Sequence, residues 1–129
     1  AEYGYGRRHN WLSDYYLAVK DTSTNEFVVI GKTFKGLTDT EFEEITKKLE
    51  ETATRRIGHK VIVVPTIVVE VEYNEIQKSP KYKSGFALRF ARIKRIRYDK
   101  SPDDINTLDD IKRQYKKQLQ YKGILKERR

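Results

Sequence analysis

Arg97, Asp99 and Lys100 close a run, RFARIKRIRYDK over residues 89–100, that carries six basic side chains and one acid. An arginine guanidinium offers a planar fork that matches two phosphate oxygens, and a lysine adds a movable point charge. These residue types suit a polyanionic partner such as a nucleotide or nucleic acid. Asp99, between the two cations, could orient either of them. Lys78, Lys81, Lys83, Arg92, Lys94 and Arg95, with Arg7 and Arg8 near the N-terminus, are candidates for nucleic-acid backbone phosphates. Such contacts position a polyanion without reading its sequence. An ordinary solvated basic strand face is the alternative that the residue types leave open.

The composition fits a polyanion partner. The 129 residues hold 27 Lys and Arg against 19 Asp and Glu, a formal charge of +8. A surplus of that size suggests nucleic acid, nucleotide or an acidic surface. There is no cysteine, so disulfides and thiolate zinc sites are excluded, and His9 and His59 are too few for a histidine-built metal site. No apolar run approaches the roughly 20 residues of a membrane span. A cytoplasmic, nucleoid-associated monomer with no membrane partner is the expectation.

The elements that must hold these cations read mainly as β. Tyr15–Val19 and Glu26–Lys32 flank the turn cluster Asp21–Asn25 and predict a hairpin. Thr38 and Glu41 match a capping box, and Phe42, Ile45 and Leu49 lie on one face of a helix predicted over residues 39–51. Lys60–Val64 and Thr66–Ile76 predict two more strands, the second with a dry face and a wet one that carries Glu70 and Glu72. Gln77–Gly85 is a polar loop, and Phe86–Arg97 a long strand whose apolar register slips, which predicts a bulge or bend near Arg92. Thr107 is a plausible N-cap for a basic helix over 108–127, with Leu108, Ile111, Tyr115 and Leu119 as its apolar stripe. Trp11, Tyr15 and Tyr16 read more readily as core than as base-stacking residues. Strands with a helix between the third and fourth predict an OB-fold, a five-stranded Greek-key barrel, over residues 1–129, with a C-terminal basic helix over 105–127. Residues 1–13 hold too many glycine and polar residues for a full first strand.

The segment KSPKYKSGFALRFARIKRIRYDKSPDD, from Lys78 to Asp104, resembles the C-terminal OB domain of ATP-dependent DNA ligases, archaeal ones above all. GYGRR at residues 4–8 and the order of elements are similar too. The family usually has Pro where Ala91 stands and often Glu where Tyr98 stands. The resemblance implies ATP and Mg2+ as cofactors of a parent enzyme. It implies nicked duplex DNA and the adenylation domain of the same ligase as partners. By resemblance, Arg97 and Lys100 reach the β- and γ-phosphates of ATP, Asp99 orients them or touches the metal-bound pyrophosphate, and Arg89 sits at a matching position. The family's nucleophilic Lys-x-Asp-Gly element and its Glu-Gly-x-x-x-Lys element are absent from these residues. The expectation is therefore a ligase fragment that binds no cofactor by itself and cannot seal DNA alone. A free-standing OB module for single-stranded nucleic acid, and the OB domain of an mRNA-capping guanylyltransferase, are the competing readings.

Overall fold

The computed structural model describes residues 1–6 and 9–127, with side chains as far as residue 121. In chain order the elements are β1 (Glu2–Tyr3), β2 (Leu12–Asp21), β3 (Glu26–Thr33), α1 (Asp39–Glu51), β4 (Ala53–Ile57) and β5 (Lys60–Val63). They continue with β6 (Val69–Glu72), β7 (Glu75–Lys78), β8 (Phe86–Arg89), β9 (Arg92–Ile96) and α2 (Leu108–Glu127). A short 3-10 turn at Pro102–Asp104 separates the last strand from the last helix.

The hydrogen-bonded ladders form one five-stranded sheet in the order β3-β2-β1-β5-β4 and two ribbons, β6-β9 and β7-β8. The fold is mainly β with two α-helices, and it is OB-like, but these ladders do not join into the single closed five-stranded barrel that was expected. The reason lies in two breaks. The strand predicted over 66–76 is interrupted between β6 and β7, and the strand predicted over 86–97 is interrupted between β8 and β9. At the second break Phe90 takes a left-handed backbone, φ 55°, which a bulky side chain rarely adopts. The irregularity predicted near Arg92 is thus present, with the break at Phe90 two residues before it. The broken strand lies along β3: the Thr33 hydroxyl donates to the Ala91 carbonyl at 2.7 Å, and the Ile93 amide donates to the Lys35 carbonyl at 2.9 Å.

Both helices form where the sequence says they should. Thr38 and Glu41 make the reciprocal capping box, and Phe42, Ile45 and Leu49 are buried. Thr107 and Asp110 cap α2 reciprocally: the Asp110 amide donates to Thr107 Oγ1 at 3.2 Å, and the Thr107 amide to Asp110 Oδ2 at 2.9 Å. Leu108 and Ile111 are buried and Tyr115 packs beside them, but Leu119 is half exposed and does not complete the expected stripe. Two apolar clusters result. One joins α1 to Leu12, Tyr15, Val61 and Ile93; the other joins α2 to Val19, Val28, Ile30, Ile76 and Phe86. Trp11 and Tyr15 stack on Phe42 and belong to the first of these.

The helices are also pinned by polar contacts. The Tyr3 hydroxyl and Arg56 both reach Glu50, which ties β1 and β4 to α1. On α2, the Gln118 side-chain amide donates to the Ile76 carbonyl at 2.8 Å and its oxygen accepts from the Ile76 amide at 2.8 Å.

Candidate phosphate-binding turn and basic strand

β9 alternates as a half-buried strand should: Ile93 is buried while Arg92 and Lys94 face solvent. Its ladder with β6 pairs Glu72 with Arg92 and Glu70 with Arg95, and the register shift between them leaves Lys94 as the extra residue. Acids and bases therefore face each other across the two strands. Glu72 lies 4.0 Å from Arg92 and 3.5 Å from Lys94, and Glu70 lies 3.1 Å from Arg95. The Glu70/Glu72 face is thus an ion-paired face.

Just past β9 the chain turns, with the Lys100 amide donating to the Arg97 carbonyl at 3.2 Å. Inside this turn Arg97 grips Asp99 with two parallel bonds, Nε to Oδ1 at 3.0 Å and Nη2 to Oδ2 at 2.8 Å. Its remaining nitrogen, Nη1, lies 3.5 Å from Glu70 Oε1. Tyr98, exposed between the two partners, leans on α1: its hydroxyl donates to Glu44 at 3.4 Å and the Lys48 ammonium sits 4.7 Å from its ring centre. Ser101 caps the 3-10 turn that follows, in a reciprocal capping box with Asp104. Among the described residues Lys100 has no ion-pair partner. It lines a cavity of about 750 Å³ together with Arg97, Glu70 and Asp104, against apolar walls that include Ile67 and Val69.

The fork fixes the electrostatics of the turn. The Arg97 guanidinium, with help from a backbone amide and Lys100, holds the Asp99 carboxyl down at about 2, below its ordinary 3.8. Asp99 in turn raises Arg97. Because the folded value is depressed, the pair contributes fully above the ordinary carboxylate range, and its contribution is lost as pH falls through about 2. A carboxyl-carbon NMR titration is expected to place the Asp99 midpoint near 2 and to return it toward 3.8 in Arg97→Ala. A midpoint that ignores the substitution would contradict the fork.

Other predicted cations lie elsewhere. Arg89, at the end of β8, pairs with Glu75 at 3.1 Å and lies 5.0 Å from the Phe90 ring centre. Lys78 ends β7 near the Tyr115 ring. Lys81 lies near Tyr82, and Lys83 reaches Glu26 at 3.2 Å. No hydrogen bond or ion pair among the described residues links this loop to the Arg97 turn, which is tied to α1 instead. Arg7 and Arg8 lie outside the described residues. No cluster of three or more His, Asp or Glu side chains suited to a metal ion occurs among the described residues.

One residue escapes sequence reasoning. Phe90 is 65% exposed, has the left-handed backbone noted above, and carries the Arg89 guanidinium 5.0 Å from its ring centre. An exposed aromatic residue in so uncommon a conformation is held there by its surroundings. Nothing in its residue type announces the conformation.

These features define an OB-like, mainly β domain that ends a basic strand in an Arg-x-Asp-Lys turn. Residues 8–100 match the family described as the ATP dependent DNA ligase C terminal region, and the chain belongs to that family. It is 62% identical over 119 residues to DNA ligase 1 of Korarchaeum cryptofilum, covering 92% of this chain and 22% of that protein. It is 46% identical over 134 residues to a DNA ligase of Nanoarchaeum equitans, covering 98% of this chain and 23% of that one. A probable DNA ligase of the bacterium Anaeromyxobacter sp. (strain K) is 47% identical over 116 residues, 89% of this chain and 23% of the relative. The chain spans less than a quarter of the length of these relatives.

Proposed function

We propose that this chain is the OB part of an ATP-dependent DNA ligase that orients the ATP polyphosphate during lysine adenylation and then clamps nicked duplex DNA. The observation that carries this reading is the Arg97–Lys100 turn, which brings a preset guanidinium fork and an unpaired ammonium to one cavity. In adenylation a lysine amine attacks the α-phosphorus, the bond to the β-phosphate oxygen breaks, and pyrophosphate leaves with its negative charge. Arg97 and Lys100 would hold that leaving group, delivered as its magnesium complex, and stabilise the charge it gains. The Lys-x-Asp-Gly nucleophile is absent from these 129 residues, so the adenylation domain of the same ligase must supply it.

Sealing would use the outer face of the broken strand. Arg92, Lys94 and Arg95 are exposed, and their partners are exposed or half-exposed carboxylates. Exposed pairs of this kind contribute only about 0.2–1 kcal/mol, so backbone phosphates can displace the carboxylates at small cost. Phe90, exposed beside Arg89, would act as an apolar wedge against the duplex. The free-standing single-strand binder is less well supported, because Trp11 and Tyr15 are spent on Phe42.

The test uses a full-length ligase carrying this region. In the Arg97→Ala/Lys100→Ala variant, lysyl-adenylate formation from labelled ATP is expected to fall by roughly a hundredfold or more, while the pre-adenylated variant still seals a nick. Phe90→Ala is expected to show the converse, with adenylation kept and sealing weakened. Unchanged labelling in the double variant would make Arg97 and Lys100 ordinary basic surface and leave DNA holding as the domain's work.

A further inference from the structure

We infer that Glu70 is a positioning residue that parks the phosphate-binding edge of Arg97 and hands it over by retreating to Arg95. The inference rests on the polyphosphate reading of Arg97. A guanidinium has two edges that can grip a bidentate anion: one formed by Nε and Nη2, the other by the two terminal nitrogens. Asp99 occupies the first edge with bonds of 3.0 and 2.8 Å. Only the second edge remains for an incoming phosphate, and among the described residues the carboxylate that touches its free nitrogen, Nη1, is Glu70, at 3.5 Å. That contact is long, whereas the other oxygen of Glu70 holds Arg95 at 3.1 Å. Glu70 therefore has somewhere to stay when Arg97 changes partner.

The register explains why Glu70 can do this. The shift that leaves Lys94 unpaired places Arg95 opposite Glu70, while the Arg97 amide, just beyond the ladder, donates to the Val68 carbonyl at 2.8 Å. One carboxylate is thereby shared by two arginines that flank Ile96. Glu72, two residues along the same strand, faces Arg92 and Lys94 and makes no ion pair with Arg97. Asp99 stays in place as the group that keeps the fork aimed. Glu70 covers the working edge, which borders the cavity, until an anion arrives.

The experiment titrates inorganic tripolyphosphate into the chain by calorimetry and follows the Arg97 Nε–H signal by NMR. Four variants are compared: Arg97→Ala, Glu70→Gln, Glu72→Gln and the double Arg97→Ala/Glu70→Gln, each checked for an unchanged thermal midpoint. Arg97→Ala is expected to weaken binding severalfold. Glu70→Gln is expected to tighten it roughly two- to fivefold, the range for an exposed ion pair. Glu72→Gln removes the same charge and is expected to tighten it by less than half as much. In the double variant the gain from Glu70→Gln should vanish, which bulk charge alone would not produce. Equal gains from the two glutamine variants, a gain that survives without Arg97, or weaker binding in Glu70→Gln would each overturn the role of Glu70. Binding indifferent to Arg97→Ala would instead overturn the polyphosphate reading itself.

Discussion

Gly36→Ala is expected to destabilise the domain by about 2–6 kcal/mol, from a strained backbone at about 1–3 kcal/mol and overpacking at about 1–3 kcal/mol. Gly36 sits at φ 110°, and a Cβ placed there would come within 1.9 Å of the Ile93 carbonyl oxygen. The obstacle is β9 backbone, so no side-chain rotation can relieve it. Its neighbour Lys35 accepts the Ile93 amide bond, so the same contact seats β9 against the end of β3. Any relief must shift the strand that carries Arg92, Lys94 and Arg95 and leads into Arg97. Urea unfolding of the chain and of the variant is the measurement. An unchanged midpoint would mean that the chain at Gly36 stands clear of β9.

The second large effect is expected at Phe42. Phe42→Ala should cost about 3–5 kcal/mol, the usual loss when a buried aromatic ring is deleted. Phe42 is 1% exposed and stacks with both Trp11 and Tyr15, with ring centres 6.2 Å away in each case. Neither neighbouring ring can close the void easily. Tyr15 is fixed through its hydroxyl to the Leu12 carbonyl, and Trp11 immediately precedes β2. Ile45→Val, in the same cluster, should lose only about 0.5–1.5 kcal/mol. Denaturant unfolding of both variants checks the contrast, and equal losses would show that the aromatic stack is not the centre of this cluster.

Local signals in the sequence carried α1 well. Thr38, Glu41 and the spacing of Phe42, Ile45 and Leu49 all report interactions within one or two turns. The Arg97 turn was legible for the same reason, since Arg97, Asp99 and Lys100 are neighbours in the chain. β4 was missed because Thr54, Arg55, Arg56 and Ile57 are all exposed and show no alternation; pairing with β5 makes them a strand. Leu12 was hidden behind a glycine-rich, polar stretch, although it is fully buried and opens β2. The partnership of Glu70 with Arg95 and Arg97 depends on a bulge that shifts register by one residue. Phe90 depends on a backbone angle that its residue type disfavours. Both are set by long-range packing, which periodicity does not encode.

The amide of Gln118 has a consequence for α2. By answering both the N–H and the C=O of Ile76, a helical side chain occupies the place a neighbouring strand would take. A ladder rule is thereby imposed on a helix position. Asn would fall one methylene short, and Glu would keep the acceptor and lose the donor. Residue 118 is thus answerable to the sheet as well as to its own helix, and the free edge of β7 is closed to foreign chains only while α2 stays seated.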